Sequence, residues 1–279
     1  YKGQKKWSPK NSQQFIDDLM IDLRIKNLWE FQPDLKSNLD ALPPETTVQD
    51  LIKLIYLQRK SSFPKGKIKI IVDKTYQLGE PSKVLLIAGT LAFTIQILMD
   101  FSAYTDLARG FSYLLGLETS KNFERPYLAL TPTQFWDRWH ITFSNWLRDY
   151  IFFPIYRSLS RKYRNSKKYL TLIVPPLITM LISGLWHGAG YTYLVWGAFH
   201  GLLIIIYQVL GFGGKWQPKT KTKAFLAWLL MFVLIVFSWS LFRASTLSWW
   251  YQAWFQTPWL NNQKEILAAF VSLSLTAFY

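Results

Sequence analysis

Four apolar runs, each about as long as a membrane-spanning helix, constrain the fold of this chain more than any other feature. They lie at residues 83–104, 169–186, 191–212 and 224–243. An α-helix of about 20 apolar residues crosses the ~30 Å hydrocarbon core of a bilayer. The chain is 50% hydrophobic and 18% aromatic, which agrees with a membrane protein. We therefore predict an all-α fold, a multi-spanning membrane helical bundle with re-entrant or interfacial helices.

Short basic loops between the runs predict how the spans are oriented. Residues 157–168 hold six bases and no acid, and residues 213–223 hold four lysines and no acid. Because cytoplasmic loops are enriched in Lys and Arg, both loops are expected on the cytoplasmic side. The two spans between these loops would return the chain to the same side of the membrane, which agrees with a cytoplasmic location for both loops. We predict a multi-pass protein of the cell inner (plasma) membrane, with the lipid bilayer around it.

The charge and the cysteine content exclude several other classes. The net charge is +15, but the bases lie in loops beside apolar runs and not along a soluble face with stacking aromatics. We therefore predict no nucleic-acid partner. The 279 residues hold no cysteine, which removes disulfides, thiolate nucleophiles and cysteine-ligated metals. No two histidines have the helical spacing of a ligand pair, so no metal site is predicted.

The chain changes character near Pro81. Residues 1–80 hold ten of the 17 acidic residues but only two of the 14 tryptophans. We interpret residues 1–80 as a soluble or interfacial linker-like segment, with amphipathic helices near residues 15–23 and 48–58. Residues 81–279 are interpreted as the transmembrane core. The apolar run at residues 266–278 is short for a span, so we expect a core truncated at its C-terminus, within a fragment that lacks earlier spans.

The segment 135–159 mixes tryptophans with charged residues. It is too polar for a lipid-exposed span and too aromatic for a soluble loop. Read as one helix, it places Trp136, His140, Phe143 and Leu147 on a single stripe. This pattern predicts an interfacial or re-entrant helix packed against other spans.

Three histidines lie in this membrane-class sequence, where ionisable side chains are costly and indicate function. His187 stands beside Gly188 and Gly190, and small residues allow close approach of backbone or substrate. A neutral imidazole there can accept a proton from a hydroxyl that attacks an acyl carbonyl. The alternative is a structural histidine at a helix end. For His140, a packing role and a functional role are equally open.

His200 and two aspartates are the remaining candidates. His200 lies thirteen residues past His187, about 20 Å along a straight helix at ~1.5 Å per residue. A structural role is therefore favoured for it. Asp100 and Asp106 follow closely on the first apolar run. They are expected to form ion pairs with Arg109 or Arg148, or to line a polar cavity.

Five motifs in order along the chain resemble the membrane-bound O-acyltransferase family, with its alginate-acetylating branch the nearest. The resemblance covers roughly residues 84–243. The motifs are Asp100-Phe-Ser-Ala-Tyr-Thr-Asp106, Asn122-Phe-Glu-Arg-Pro-Tyr127, Phe135-Trp-Asp-Arg-Trp-His140 with Trp146-Leu-Arg-Asp-Tyr150, Gly184-Leu-Trp-His-Gly188 and Trp196-Gly-Ala-Phe-His-Gly201.

The resemblance implies a helical bundle around a funnel, with the family's active-site histidine at His187 and its second functional histidine at His140. His140 would position the donor carbonyl or share in proton transfer. The residues expected to bind substrate or to shape the pocket are Asn145, Trp186, Asp100, Trp136 and His200.

The activity that the resemblance implies is O-acetylation of an exported polysaccharide. Acetyl-CoA would be the acyl donor, no cofactor would stay bound, and an exopolysaccharide would be the acceptor. An SGNH-type acetyltransferase is the expected partner protein. Two alternatives stay open: a D-alanyl or fatty acyl transferase of the same fold, and a channel or transporter whose histidines and aspartates line a conduction path.

Overall fold

A computed structural model of the protein describes residues 65–163, 167–213 and 216–277. The described residues are mostly helical, and Phe123 and Trp139 form an isolated antiparallel bridge. The α-helices are α1 Lys65–Gln77, α2 Lys83–Leu114, α3 Pro132–Trp136, α4 Ile141–Leu147, α5 Phe153–Tyr163, α6 Lys168–His187, α7 Tyr191–Val209, α8 Lys221–Arg243, α9 Leu247–Tyr251 and α10 Lys264–Ala277. Pro126–Leu128 forms a 3-10 turn, and Arg148–Phe152 and Gln252–Gln256 are π-helical. The amphipathic helices predicted near residues 15–23 and 48–58 lie outside the described residues.

Four of these helices are long and apolar enough to cross a membrane, which confirms the predicted helical membrane fold. They are Lys83–Tyr113, Tyr169–His187, Tyr191–Val209 and Lys221–Arg243. The last begins three residues before the predicted run because the Thr220 side chain caps it, accepting the Lys223 N–H at 3.3 Å. Helix α2 continues past residue 104 and carries the Asp100 to Asp106 motif within the same helix.

Helix α1 lies before residue 81, where the composition changes, and it packs against α2. Its buried face includes Ile68 and Val72. The Tyr76 hydroxyl lies 2.8 Å from the Thr90 hydroxyl of α2. One turn earlier on α1, Asp73 accepts a hydrogen bond from Arg243 of α8 at 2.7 Å, and the Arg243 guanidinium lies 5.5 Å from the Tyr76 ring. Helix α1 is therefore tied to both α2 and α8.

Helices α6 and α7 pack closely because glycines on each helix face the backbone of the other. A Cβ atom placed on Gly184 would lie 2.2 Å from the carbonyl oxygen of Tyr193. A Cβ atom on Gly197 would lie 2.2 Å from the carbonyl oxygen of Met180. Small residues of this kind let membrane helices approach at backbone distance, which sets where the C-terminal end of α6 lies.

The single helix predicted over residues 135–159 is wrong, because the chain breaks after α3 and restarts at α4. His140, at the N-cap of α4, has φ 43° and ψ 55°, a left-handed conformation that interrupts a right-handed helix. The break is stabilised by the preceding segment, where the Asn122 carbonyl accepts the Ile141 N–H at 3.0 Å. The stripe is thus divided between two short helices and the turn between them.

Three of the four tryptophans that follow α8 make hydrogen bonds to the bundle. Trp250 and Trp254 each donate their indole N–H to the buried Ser240 hydroxyl at 2.9 Å. Trp249 donates to the carbonyl of Leu78 at 2.8 Å. Trp259 is 66% exposed. Three of these indoles therefore fasten the chain after α8 to the bundle.

Candidate active site

His140 is positioned by the side chain of Asn122. The Asn122 Oδ1 atom accepts the Thr142 N–H at 3.1 Å and the Thr142 hydroxyl at 2.7 Å. The same oxygen lies 3.3 Å from His140 Nδ1. Because a carboxamide oxygen only accepts, Nδ1 carries the hydrogen and Nε2 keeps the lone pair of the neutral ring.

The surroundings of His140 are aromatic and partly buried. Its ring centroid lies 4.8 Å from Phe101, at a nearly perpendicular angle, and 5.1 Å from Phe143. Burial lowers the pKa of His140 from its ordinary value because the charged ring loses water. Burial therefore favours the neutral form of the imidazole. Left-handed backbone at a non-glycine residue is sparsely populated and often found at functional sites.

His187 is the last residue of α6, directly before the turn that leads into α7. Its ring is half-buried in a cage of aromatic rings contributed by three spans and by the short helix α4. The centroid distances are 4.9 Å to Trp186, 5.3 Å to Trp196, 4.9 Å to Phe242, 6.4 Å to Tyr193 and 6.5 Å to Phe143. The imidazole is thus enclosed by rings from several helices.

The two histidines that the resemblance selects meet at the same pair of rings. Phe143 adjoins both His140 and His187. Trp186 lies 6.2 Å from His140 and 4.4 Å from Phe143, and it precedes His187 in the chain. Residues 47 positions apart in the sequence are therefore neighbours at the end of α6. Trp186 is 59% exposed, so this part of the site faces outward.

His200 occupies a different place, inside the bundle. Its side chain is fully buried, and its ring lies 4.8 Å from Trp196 and 5.1 Å from Trp136. Trp196 stands between His200 and His187, with its ring 4.8 Å from the first and 5.3 Å from the second. The two imidazoles are therefore much closer than the ~20 Å expected along one straight helix, because the chain turns between α6 and α7. His200 Nε2 lies 3.1 Å from the Ser238 hydroxyl of α8.

A cavity of about 220 Å³ lies between the α3 to π-helix segment and helices α6 and α7. Asn145 and Trp136 are among its walls; the other predicted site residues, which are His140, His187, His200, Trp186 and Asp100, are not. Its polar lining is Thr133, Asp137, Ser144, Asn145, Arg148, Thr179 and Gln208. The Trp136 wall packs 5.9 Å from Trp196, whose ring contacts His187. Two indoles thus separate the cavity from the catalytic candidate.

The cavity lies toward the end of the bundle that carries the basic loops. Gln208 is one residue before the end of α7, which leads into residues 213–223. Phe152 is the last residue before α5. The basic segment 157–168, predicted as a loop, is helical over residues 157–163, which belong to α5. The distribution of positive charge predicts that this end of the bundle is cytoplasmic.

The two aspartates lie on α2. Asp106 forms an ion pair with Arg109 at 3.7 Å. Arg109 is one of the two arginines predicted as its partners. Asp100 is exposed and accepts from the Gln96 side chain at 3.3 Å. Among the described residues, no group of three or more His, Asp or Glu side chains is placed to hold a metal ion.

Residues 72–213 match the model of the membrane-bound O-acyltransferase family. The chain belongs to this family. The match includes both His140 and His187, and it begins within α1. Membership confirms the resemblance drawn from the five motifs.

Relatives of the O-acyltransferase family resemble the chain over much of its length. The probable alginate O-acetylase of Pseudomonas putida is 36% identical over 230 residues, which are 81% of this chain and 43% of that protein. The peptidoglycan O-acetyltransferase of Helicobacter pylori is 35% identical over 57% of this chain and 28% of that protein. The teichoic acid D-alanyltransferase of Bacillus subtilis is 27% identical over 54% of this chain and 39% of that protein. The chain thus spans less than half the length of these curated relatives.

Two features of the site were missed by sequence reasoning. The hydrogen bonds of Asn122 that orient His140 were not predicted, although Asn122 opens one of the five motifs. The rings of Trp196 and Phe242 that enclose His187 come from separate helices. Because they lie on other helices, only the three-dimensional packing shows that they meet.

Proposed function

We propose that this chain contains the catalytic core of a membrane O-acyltransferase that transfers acetyl groups to hydroxyls of an exported polysaccharide at the inner (plasma) membrane. The observation that carries the proposal is the meeting of His140 and His187 at Phe143 and Trp186. Family membership supports acyl transfer as the reaction. The alginate O-acetylase relatives support a polysaccharide as the acceptor.

In the proposed reaction His187 is the general base. It takes the proton of a sugar hydroxyl while that oxygen attacks the acetyl carbonyl of acetyl-CoA. The carbon–oxygen bond forms, the carbon–sulfur bond breaks, and the imidazolium returns the proton to the departing thiolate. The products are an acetyl ester and free CoA thiol, with the histidine restored.

The tautomer of His140 favours one of its two predicted roles. With the hydrogen on Nδ1 directed at Asn122, the neutral ring has a lone pair and no hydrogen at Nε2. A lone pair accepts a proton but does not donate a hydrogen bond to a carbonyl. This supports a role for His140 in sharing the hydroxyl proton, and argues against a role in positioning the donor carbonyl.

The cavity beside Asn145 is the proposed entry of the acyl donor. It lies toward the basic loops, and acetyl-CoA is a cytoplasmic metabolite. Its mixed lining of amide, hydroxyl and apolar groups suits the amide-bearing arm that carries the thioester. Trp136 forms the wall toward His187. An SGNH-type acetyltransferase on the far side is proposed as the partner, and this part rests on the resemblance alone.

The decisive experiment replaces His187 by Ala in the full-length protein. Membrane vesicles with exposed cytoplasmic faces receive acetyl-CoA labelled in the acetyl group, and label in the polymer is counted. We expect loss of the label to background, as removal of a general base costs roughly 10²–10⁴-fold in rate. Ser248→Ala, at an exposed position, is the control for expression and folding. Unchanged labelling in His187→Ala would contradict the proposal.

The same vesicles separate the alternatives. Label from D-alanine or from a fatty acyl donor, with none from acetyl-CoA, would favour a transferase of different cargo, for which the Bacillus subtilis relative is the precedent. Ion or solute flux in liposomes without any acyl donor would favour the channel or transporter.

A further inference from the structure

The buried histidine of α7 makes one hydrogen bond between two membrane spans. The Ser238 hydroxyl donates to the carbonyl of Ile235 at 2.8 Å, so its single hydrogen is already engaged. At 3.1 Å from that oxygen, His200 Nε2 is therefore the donor and Ser238 Oγ the acceptor. In the described part of the chain, His200 Nδ1 is buried without a hydrogen-bond partner. The ring is thus held through Nε2 alone.

The two residues that clamp His187 lie one helical turn from this hydrogen bond. Trp196 is four residues before His200 on α7, and Phe242 is four residues after Ser238 on α8. Consecutive spans run antiparallel, so one turn back on α7 and one turn forward on α8 lead in the same direction. The Trp196 and Phe242 rings meet at 5.3 Å, and both contact His187.

We propose that the hydrogen bond from His200 to Ser238 is a register pin, which fixes α7 against α8 so that Trp196 and Phe242 hold the His187 ring in its reactive orientation. His200 is then a positioning residue and not one that touches substrate. The activity readout of this proposal rests on the proposed acyl transfer.

A hydrogen bond suits this task better than apolar packing does. Contacts between apolar side chains change gradually when two helices slide, whereas a hydrogen bond weakens steeply outside a narrow range of distance and angle. Sliding α7 along α8 would also leave a buried N–H without a partner, which is costly. The Phe135 ring is stacked on the imidazole of His200, with 6.1 Å between the ring centroids and 15° between the ring planes. This stacking further restricts the orientation of the imidazole.

Four variants of the full-length protein test the pin by kinetics. His200→Leu and Ser238→Ala break the hydrogen bond, and His200→Gln keeps an amide donor near the position of Nε2. Ser240→Ala is the matched control, because Ser240 lies two residues further on α8, is equally buried, and accepts from Trp250 and Trp254 instead of from α7. Its loss should lower stability at least as much as the loss of Ser238.

The expected kinetic result is a change in kcat without a matching change in KM. His200→Leu and Ser238→Ala should lower kcat by roughly 10²-fold, the cost typical of a small misplacement of a catalytic group. His200→Gln should recover most of the rate, and Ser240→Ala should retain it. If Ser240→Ala lowers the rate as much as Ser238→Ala does, the effect of Ser238 is one of general stability, and the proposal is overturned.

A second readout does not need catalysis. The 279 residues contain no cysteine, so His187→Cys places a single thiol of this chain inside the aromatic clamp. Its alkylation by a small maleimide should be faster when combined with His200→Leu than alone, and unchanged with Ser240→Ala. Equal alkylation rates in all backgrounds would overturn the pin. If the wild type transfers no acyl group, the proposed function fails, but the alkylation rates still test whether the hydrogen bond fixes α7 against α8. If His200→Leu fails to accumulate, Ser238→Ala takes its place.

Discussion

The Nδ1 atom of His140 lies 3.3 Å from the Oδ1 atom of Asn122, which also accepts two hydrogen bonds from Thr142. One amide oxygen therefore sets both the tautomer of the histidine and the start of the helix that follows it. The left-handed backbone of His140 costs free energy and persists because these bonds hold it.

Asn122→Ala should impair acyl transfer more than it impairs folding. The variant removes the acceptor of His140 Nδ1, so the imidazole is free to take the other tautomer and to turn. We expect a fall in kcat of roughly 10–100-fold, the size seen when the hydrogen-bond partner that orients a metal-binding histidine is lost. Labelled acetate in the polymer gives the rate. Asn261→Ala, which alters an exposed bond to Glu265, is the control, and equal rates in both variants would contradict the role given to Asn122.

The stability of the protein should depend on pH through His140. Burial lowers its pKa in the folded state, whereas the unfolded ring titrates near ~6.5. As pH falls below the unfolded value, the unfolded state binds the proton first, so stability is complete above that value and is lost toward the lower folded one. In detergent, the unfolding temperature should drop more between about pH 7.5 and about pH 5.5 for wild type than for His140→Gln. Identical drops would show that His140 does not contribute.

Gly197→Ala should separate α6 from α7 and displace His187. The added Cβ would lie 2.2 Å from the carbonyl oxygen of Met180, which is backbone and moves only with the helix. Overpacking of this kind costs about 1–3 kcal/mol. We expect a lower unfolding temperature together with reduced acetyl transfer. Gly79→Ala adds the same methyl group where nothing lies within 4 Å and should change neither quantity.

The sequence alone predicts the membrane spans, but it does not predict the helix break at His140. Length and hydrophobicity identify a span directly, because a bilayer imposes both on a helix. The start of α8 at Lys221 could also have been found, since Thr220 is a good N-cap residue. The turn at His140 depends on Asn122, which lies in a separate segment of the chain. The helical periodicity of residues 135–159 therefore gives no indication of the turn. Likewise, the Trp196 and Phe242 clamp depends on the register of two helices that sequence alone does not give.

Because the chain contains no cysteine, single cysteines introduced by mutation can test the orientation of the spans. Residues 150–264 contain no acidic residue, and ten of their twelve bases lie in the segments 157–168 and 213–223 on either side of α6 and α7, so those segments should face the cytoplasm. A thiol placed by Lys219→Cys should react with a membrane-impermeant maleimide only after spheroplasts are permeabilised. Thiols placed by Ala189→Cys and Ser248→Cys, both at exposed positions beyond the far ends of the spans, should react in intact spheroplasts. The reverse pattern would put His187 on the cytoplasmic side and would exclude the proposed meeting of a cytoplasmic donor with an acceptor from the opposite face.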